Sequence, residues 1–414
     1  MTRALLLSLI PLFSVFIFAL TSCIDSYKEE NPSPILYQEV ETTPTPTLSP
    51  LSTSVERKPT NDTINNQSSF LTSQEVAVAD QHIKTYWQLA YPNHTFTADH
   101  LQVYNENLSE SDGVWTYRVD FRYIATVNLD LSPENHPLLQ GMEKALGSMA
   151  ASDAALIAPT ISRYEETLAE SYRNPQEITA TYRLVYTCHF DPNTTSQSMG
   201  TATYYFQQRS VSDATLMPAL SSFQTGNTRY EAQITEGYQA AYSFLGQVQS
   251  LEAPTRSVTY QPQLATAYAT DHALDIPEYS AENNLGSDCA NFVSYCLQAG
   301  GITADEEGKW HPSSTAGSYG GINWIRTGYS ANLGGVILYM KERNLFFQQE
   351  NKILSPAGSI LFYRDASHVA LVTHTDGEVF IFADRSNTTK EYNNFLFEGN
   401  FVDYYSPNPQ IVVG

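Results

Sequence analysis

The sequence predicts an α+β protein: a C-terminal domain with a Cys-bearing helix packed on an antiparallel sheet, preceded by a separate α+β domain. Three observations carry this. Cys289, Phe292, Val293, Cys296 and Leu297 recur at helical spacing. Several runs, such as residues 115–124, 178–190 and 368–374, are apolar or alternate with the period of strands. Three boundaries, the end of an N-terminal apolar run and two breaks in composition, divide the chain into 1–22, 23–73, 74–252 and 253–414.

The first element is an address. Arg3 precedes a nearly continuous apolar run over 4–19, too short for a confident spanning helix and suited to a secretory signal. Leu20-Thr21-Ser22-Cys23 then resembles a bacterial lipobox, which makes Cys23 the expected lipid attachment site. The expected location is the cell envelope, with the chain lipid-anchored to the outer face of the bacterial cytoplasmic membrane. The formal net charge of -22 argues against nucleic acid as a partner and leaves the lipid as the only expected membrane contact. Residues 24–73 are rich in Pro, Ser, Thr, Asn and Glu and read as a disordered tether.

In the first folded region, residues 76–89 and 138–172 read as helices, and 115–124, 178–190 and 201–209 as strands. Cys188 falls in a strand and reads as a packing residue. No metal spacing, phosphate loop or nucleophile motif is visible there. After Ala253-Pro254-Thr255-Arg256, the expected order is helix 264–274, helix 288–299 ended by Gly300-Gly301, a polar loop over 303–332, helix 335–343, then strands 359–363, 368–374, 378–384 and 399–405.

The chemistry concentrates in this second region. Cys289 lies in the first turn of its helix, where free N–H groups and the helix dipole favour a thiolate. Ser287 and Asp288 are good cap residues, and Asp288 is expected to cap the helix or support an oxyanion. Cys296, two turns deeper, reads as core. His368 opens an apolar strand and can act as general base for Cys289. His374 is six residues further, roughly 20 Å at strand rise, and out of reach of the same thiol.

The order Tyr268-Ala269, Gly286-Ser-Asp-Cys-Ala-Asn-Phe-Val-Ser, Cys296-Leu-Gln-Ala-Gly-Gly301, Gly358-Ser-Ile-Leu-Phe-Tyr363 and His368-Val-Ala-Leu-Val resembles the bacterial amidase-type domain family, a branch of the NlpC-type, papain-like cysteine peptidases that act on cell walls. The resemblance covers residues 257–405. It implies a papain-like fold, Cys289 as nucleophile and His368 as general base. Two positions depart from the family: Ser359 stands where an aspartate is usual, and Asp384 where a histidine is common. An aspartate can still orient an imidazole, so the triad survives chemically.

The leading expectation is a cell-surface cysteine amidohydrolase acting on peptidoglycan or peptide amides without a cofactor or metal. The alternatives are a non-catalytic cell-wall binding lipoprotein and an acyltransferase using the same Cys–His pair. Trp310 and Trp324, in the polar loop, are candidates for a substrate groove. The register of the hairpin after His368 decides the third residue. A two-residue Asp376-Gly377 turn would pair Thr375 with Glu378 and set Arg385 opposite His368. A three-residue turn with Gly377 left-handed would pair His374 with Glu378 and set Asp384 there, with Asn387 as the fallback orienter. The expectation is the three-residue turn.

Overall fold

The computed structural model describes residues 73–111, 114–189, 203–209, 214–216, 220–223, 225–274, 289–313, 323–324, 335–364, 368–385, 390–396 and 402–413. The signal, lipobox and tether therefore lie outside the described residues. Residues 54–414 form one compact unit.

The fold is mixed α+β, with seven helices among the described residues. In the N-terminal half, α1 (Ser73–Ala90), β1 (His94–Ser111) and β2 (Val114–Leu129) lead to α2 (Pro137–Ser148) and α3 (Ala151–Arg173). Then come β3 (Gln176–His189), β4 (Thr203–Arg209), β5 (Ala214–Leu216) and α4 (Asn227–Ser250). The C-terminal half begins with α5 (Pro262–His272), α6 (Cys289–Ala299), the two-residue strands β6 (Pro312–Ser313) and β7 (Asn323–Trp324), and α7 (Val336–Glu342). It ends with β8 (Phe346–Gln349), β9 (Ile360–Tyr363), β10 (His368–Thr375), β11 (Phe380–Arg385), β12 (Lys390–Leu396) and β13 (Val402–Pro407).

The break expected at 252 does not interrupt the sheet. One 11-stranded sheet runs β1-β2-β3-β12-β11-β10-β9-β13-β8, with β4 and β5 branching from β3. Neighbours are antiparallel except at the seam, where β12 meets β3 in parallel at Asn394–Thr179. On the N-terminal part, α1 packs Ile83, Tyr86 and Trp87 against Val119, Phe121 and Tyr123 of β2. That same core takes in Val379 and Ile381 from the far half of the chain. On the C-terminal part, α5, α6 and α7 bury Ala269, Phe292, Val293 and Ile337 with Val369 and Leu371 of β10.

The single helix expected over 138–172 is two helices. Met149 and Ala150 adopt extended backbone between them, and the last turn of α2 closes with Met149 N–H on the Leu146 carbonyl. The break lets α4 lie across α2 at a pair of glycines. A Cβ on Gly141 would stand 2.0 Å from the Ile234 carbonyl oxygen, and one on Gly237 2.1 Å from that of Leu138. Backbone on both sides cannot retreat as a flexible side chain can. Gly237→Ala should therefore cost about 1–3 kcal/mol or more through overpacking. Gly147→Ala, whose Cβ meets nothing within 4 Å, should be neutral or stabilising. Urea midpoints of the two variants, at unchanged slope, check this.

Candidate active site

Cys289 is the first residue of α6 and is fully buried. Its backbone N–H, at the helix start, has no intrahelical acceptor. Asp288 lies outside the described residues. Almost every side of α6 is covered: Ala290, Asn291, Phe292, Val293, Ser294, Cys296 and Leu297 are all buried. Cys296 is a buried core thiol outside any disulfide.

His368 opens β10 and is buried as well. Its Nε2–H donates to Asp384 Oδ2 at 3.1 Å, and the ring also hydrogen-bonds Cys289. The structure thus joins Cys289, His368 and Asp384 in one hydrogen-bonded line. Burial on its own would lower the His368 pKa. The hydrogen bonds to Asp384 and Cys289, with the charges on both, override burial and push it up to about 10.

Asp384 reaches His368 by a register different from the expected one. The loop between β10 and β11 has four residues, Asp376 to Val379, closed by the pair Thr375–Phe380. Gly377 is left-handed as expected, with φ 87°. Further along the ladder a β-bulge lies between Val372 and His374, after which Val372 pairs with Phe382 and Leu371 with Ala383. Continuing that register by one residue sets Asp384 beside Ala370, on a diagonal to His368 rather than directly opposite. The four-residue loop and the bulge each switch the face that a β11 residue presents, and the two switches cancel. Arg385 makes other contacts: its guanidinium lies 5.2 Å from the Phe292 ring centroid and Nη1 donates to the His272 carbonyl. Asn387, the fallback orienter, lies outside the described residues.

The two tryptophans are corrected. Trp310 and Trp324 are both fully buried, so they present no face to an open groove. Their rings pack 4.3 Å apart, and Trp310 stacks on Tyr339 of α7. The Trp310 indole donates to Ser294 Oγ, and Asn291 Oδ1 accepts from the Trp324 backbone N–H at 2.8 Å. Ser294 and Asn291 of the Cys-helix motif therefore fasten Trp310 and Trp324 to α6. Ser359, the departure from the usual aspartate, belongs to a buried chain of hydroxyls with Ser406 and Ser355.

Sequence reasoning missed Tyr363. It pairs directly with His368 across β9 and β10, their rings 5.9 Å apart. Its hydroxyl is buried without a hydrogen-bond partner among the described residues. Burial first, then the nearby Asp384 charge, raises its pKa well above the ordinary phenol value. The group is thus a neutral O–H donor on the triad's face of the sheet. Its position, five residues before His368 at a strand end, was the available signal.

Comparison with known proteins bears on this half. Residues 259–387 match the family model described as "Putative amidase domain". The match points to amide hydrolysis, and Cys289, His368 and Asp384 all fall inside it. It covers less than half of the chain and none of the N-terminal half. Searches of the curated proteins and of the solved structures returned no match.

The His368 charge has a defined pH window. The stability it contributes is fully present below about 6.5 and is lost as pH rises through about 10. Asp384→Asn removes the carboxylate that favours the imidazolium, so the His368 ring should titrate roughly one unit or more lower. An NMR titration of that ring reads the shift, and an unshifted curve would show that Asp384 does not hold the charge.

Proposed function

We propose that this chain is a cell-surface cysteine amidohydrolase that cleaves amide bonds of peptidoglycan stem peptides through a thioester. The observation that carries the reading is the buried His368, hydrogen-bonded to Cys289 and Asp384 at once within the amidase-matched segment. An imidazolium favoured to about pH 10 stabilises a neighbouring thiolate at neutral pH.

The thiolate attacks the amide carbonyl carbon, forming the S–C bond and placing charge on oxygen. The Cys289 backbone N–H at the start of α6 is suited to hold that oxyanion. His368 gives its proton to the leaving nitrogen as the C–N bond breaks. It then takes a proton from water, which attacks the thioester. The C–S bond breaks, the carboxylic acid departs and loses its proton to solvent, and the thiolate–imidazolium pair is restored. Asp384 keeps the ring oriented and charged when it must donate. These steps use side chains, one backbone N–H and water.

The substrate class follows from the address. The apolar run over 4–19 and Leu20-Thr21-Ser22-Cys23 support export and lipidation. No helix among the described residues is long and apolar enough to cross a membrane. A lipid on Cys23 with a 50-residue-scale polar tether would hold the folded part within reach of the cell wall.

Cys289→Ser should abolish stem-peptide cleavage, followed by mass spectrometry of purified muropeptides, while the fold survives. Cys296→Ser buries a hydroxyl in the core at a cost of about 1–3 kcal/mol but should keep turnover. Equal loss in both folded variants would reassign the nucleophile. Cys23→Ala should move the protein from the membrane fraction to the soluble fraction. Retention at the membrane after signal removal would exclude the lipid anchor.

A further inference from the structure

The hairpin that carries His368 and Asp384 does not end in solvent. Its loop enters the N-terminal half, where it meets a cluster of buried polar groups. Asp376 Oδ2 accepts from His94 Nε2 at 2.7 Å, and the Asp376 carbonyl accepts from the Tyr164 hydroxyl at 2.9 Å. Glu378 accepts from Asn93 at 2.7 Å and from Gln233, and His136 Nε2 stands 3.3 Å from it. These partners come from Asn93 just before β1 and His94 at its start, from His136 before α2, and from α3 and α4. Burial opposes a charge on His94, but Asp376, Glu378 and Asp130 together hold it protonated above its ordinary range.

The bulge is gripped from the same side. His374 Nε2 lies 3.0 Å from the hydroxyl of Ser171 on α3. Thr373 donates its hydroxyl to the Ile381 carbonyl across the ladder. Beside the loop, Val379 and Ile381 are buried in the N-terminal core with Ile83, Trp87 and Tyr182. These contacts fall on or next to the two features that set register, the four-residue loop and the bulge.

Register matters because this hairpin has chemically different alternatives. A loop shorter by one residue, or loss of the bulge, would turn Asp384 to the other face. A two-residue Asp376-Gly377 turn, the common local choice for that sequence, would bring Arg385 opposite His368. We infer that the N-terminal half is a register clamp for the catalytic hairpin: His94, gripping the loop through Asp376, and Ser171, gripping the bulge through His374, are positioning residues that keep Asp384 beside His368. The inference rests on the Cys289–His368–Asp384 reading above and gives the N-terminal half its role in the same reaction.

The test uses the full chain with His94→Leu, His94→Gln and Ser171→Ala. Circular dichroism first shows which variants fold. Amide hydrogen exchange then reads the β10–β11 ladder at Leu371, Val372, Phe382 and Ala383. Peptide-resolved alkylation by iodoacetamide reads the Cys289 thiol between pH 6 and 10. In the clamp, His94→Leu speeds exchange at those amides at least tenfold. It also slows Cys289 alkylation at pH 7 at least tenfold, with a pH midpoint moved toward the value of about 8.5 of a free thiol. His94→Gln, which keeps a donor for Asp376, restores most of both. Ser171→Ala shifts both readings in the same direction and stands in if His94→Leu does not fold. Wild-type exchange and alkylation in the folded variants would overturn the clamp. Ordinary thiol behaviour of Cys289 in the wild type would instead overturn the amidohydrolase reading, while the exchange measurement still decides the clamp.

Discussion

Strand side chains alternate between faces, so a catalytic pair on adjacent strands exists in only one parity of register. That constraint governs this molecule. His368 and Asp384 share a face because the β-bulge in β10 compensates for an even-numbered loop. The neighbouring Arg385 packs over the Phe292 ring instead. A single slip would exchange an anion for a cation beside an imidazole that must become charged. A β-bulge costs ladder hydrogen bonds, and here it sits beside the residues it arranges.

The structure holds this parity with polar contacts beside the apolar packing of Val379 and Ile381, and the polar part has an energetic logic. Asp376 and Glu378 are buried, and a buried carboxylate without partners is costly. Asp376 is held well below the ordinary carboxylate range: burial opposes its charge, but His94 and the Val379 N–H outweigh burial. Removing one partner from such a set typically costs about 3–5 kcal/mol, far more than the pair adds over an apolar replacement. Buried polar contacts discriminate against wrong arrangements more sharply than apolar ones, which tolerate sliding. At the other end of the site, Asn291 and Ser294 do the same for α6, tying the start of the Cys helix to Trp324 and Trp310.

Much of the site was legible in the sequence. Local pattern put Cys289 at a helix start and His368 at a strand start, where the structure has them, and the expected strands and helices of the C-terminal half lie within a few residues of the observed ones. Asp384 was named for a sound reason but through the wrong loop, because neither the bulge nor the partners of Asp376 are visible locally. Trp310 and Trp324 looked like groove residues because the loop around them is polar. Their burial comes from contacts with α6 and α7 that no local window contains. Other elements were missed for identifiable causes. The alternation of β1 is reset twice, between Ala98 and His100 and between Val103 and Asn105. Helix α4 carries Gly237 inside it, which lowers local helix propensity but permits the close crossing with α2. The seam between β12 and β3 joins residues about two hundred positions apart, beyond any periodicity argument.

That seam and the loop contacts impose an order in time. Ribosomal synthesis delivers His94, Ser171 and Gln233 well before β10 and β11, and N-terminal parts of a chain generally fold first. Contacts distant in sequence form slowly because loop closure must precede them. The hairpin is thus among the last pieces to dock, onto a receptor already shaped to accept it. Until then His368 and Asp384 are not in place beside Cys289, so under the function proposed above the nascent chain carries a thiol that is not yet armed.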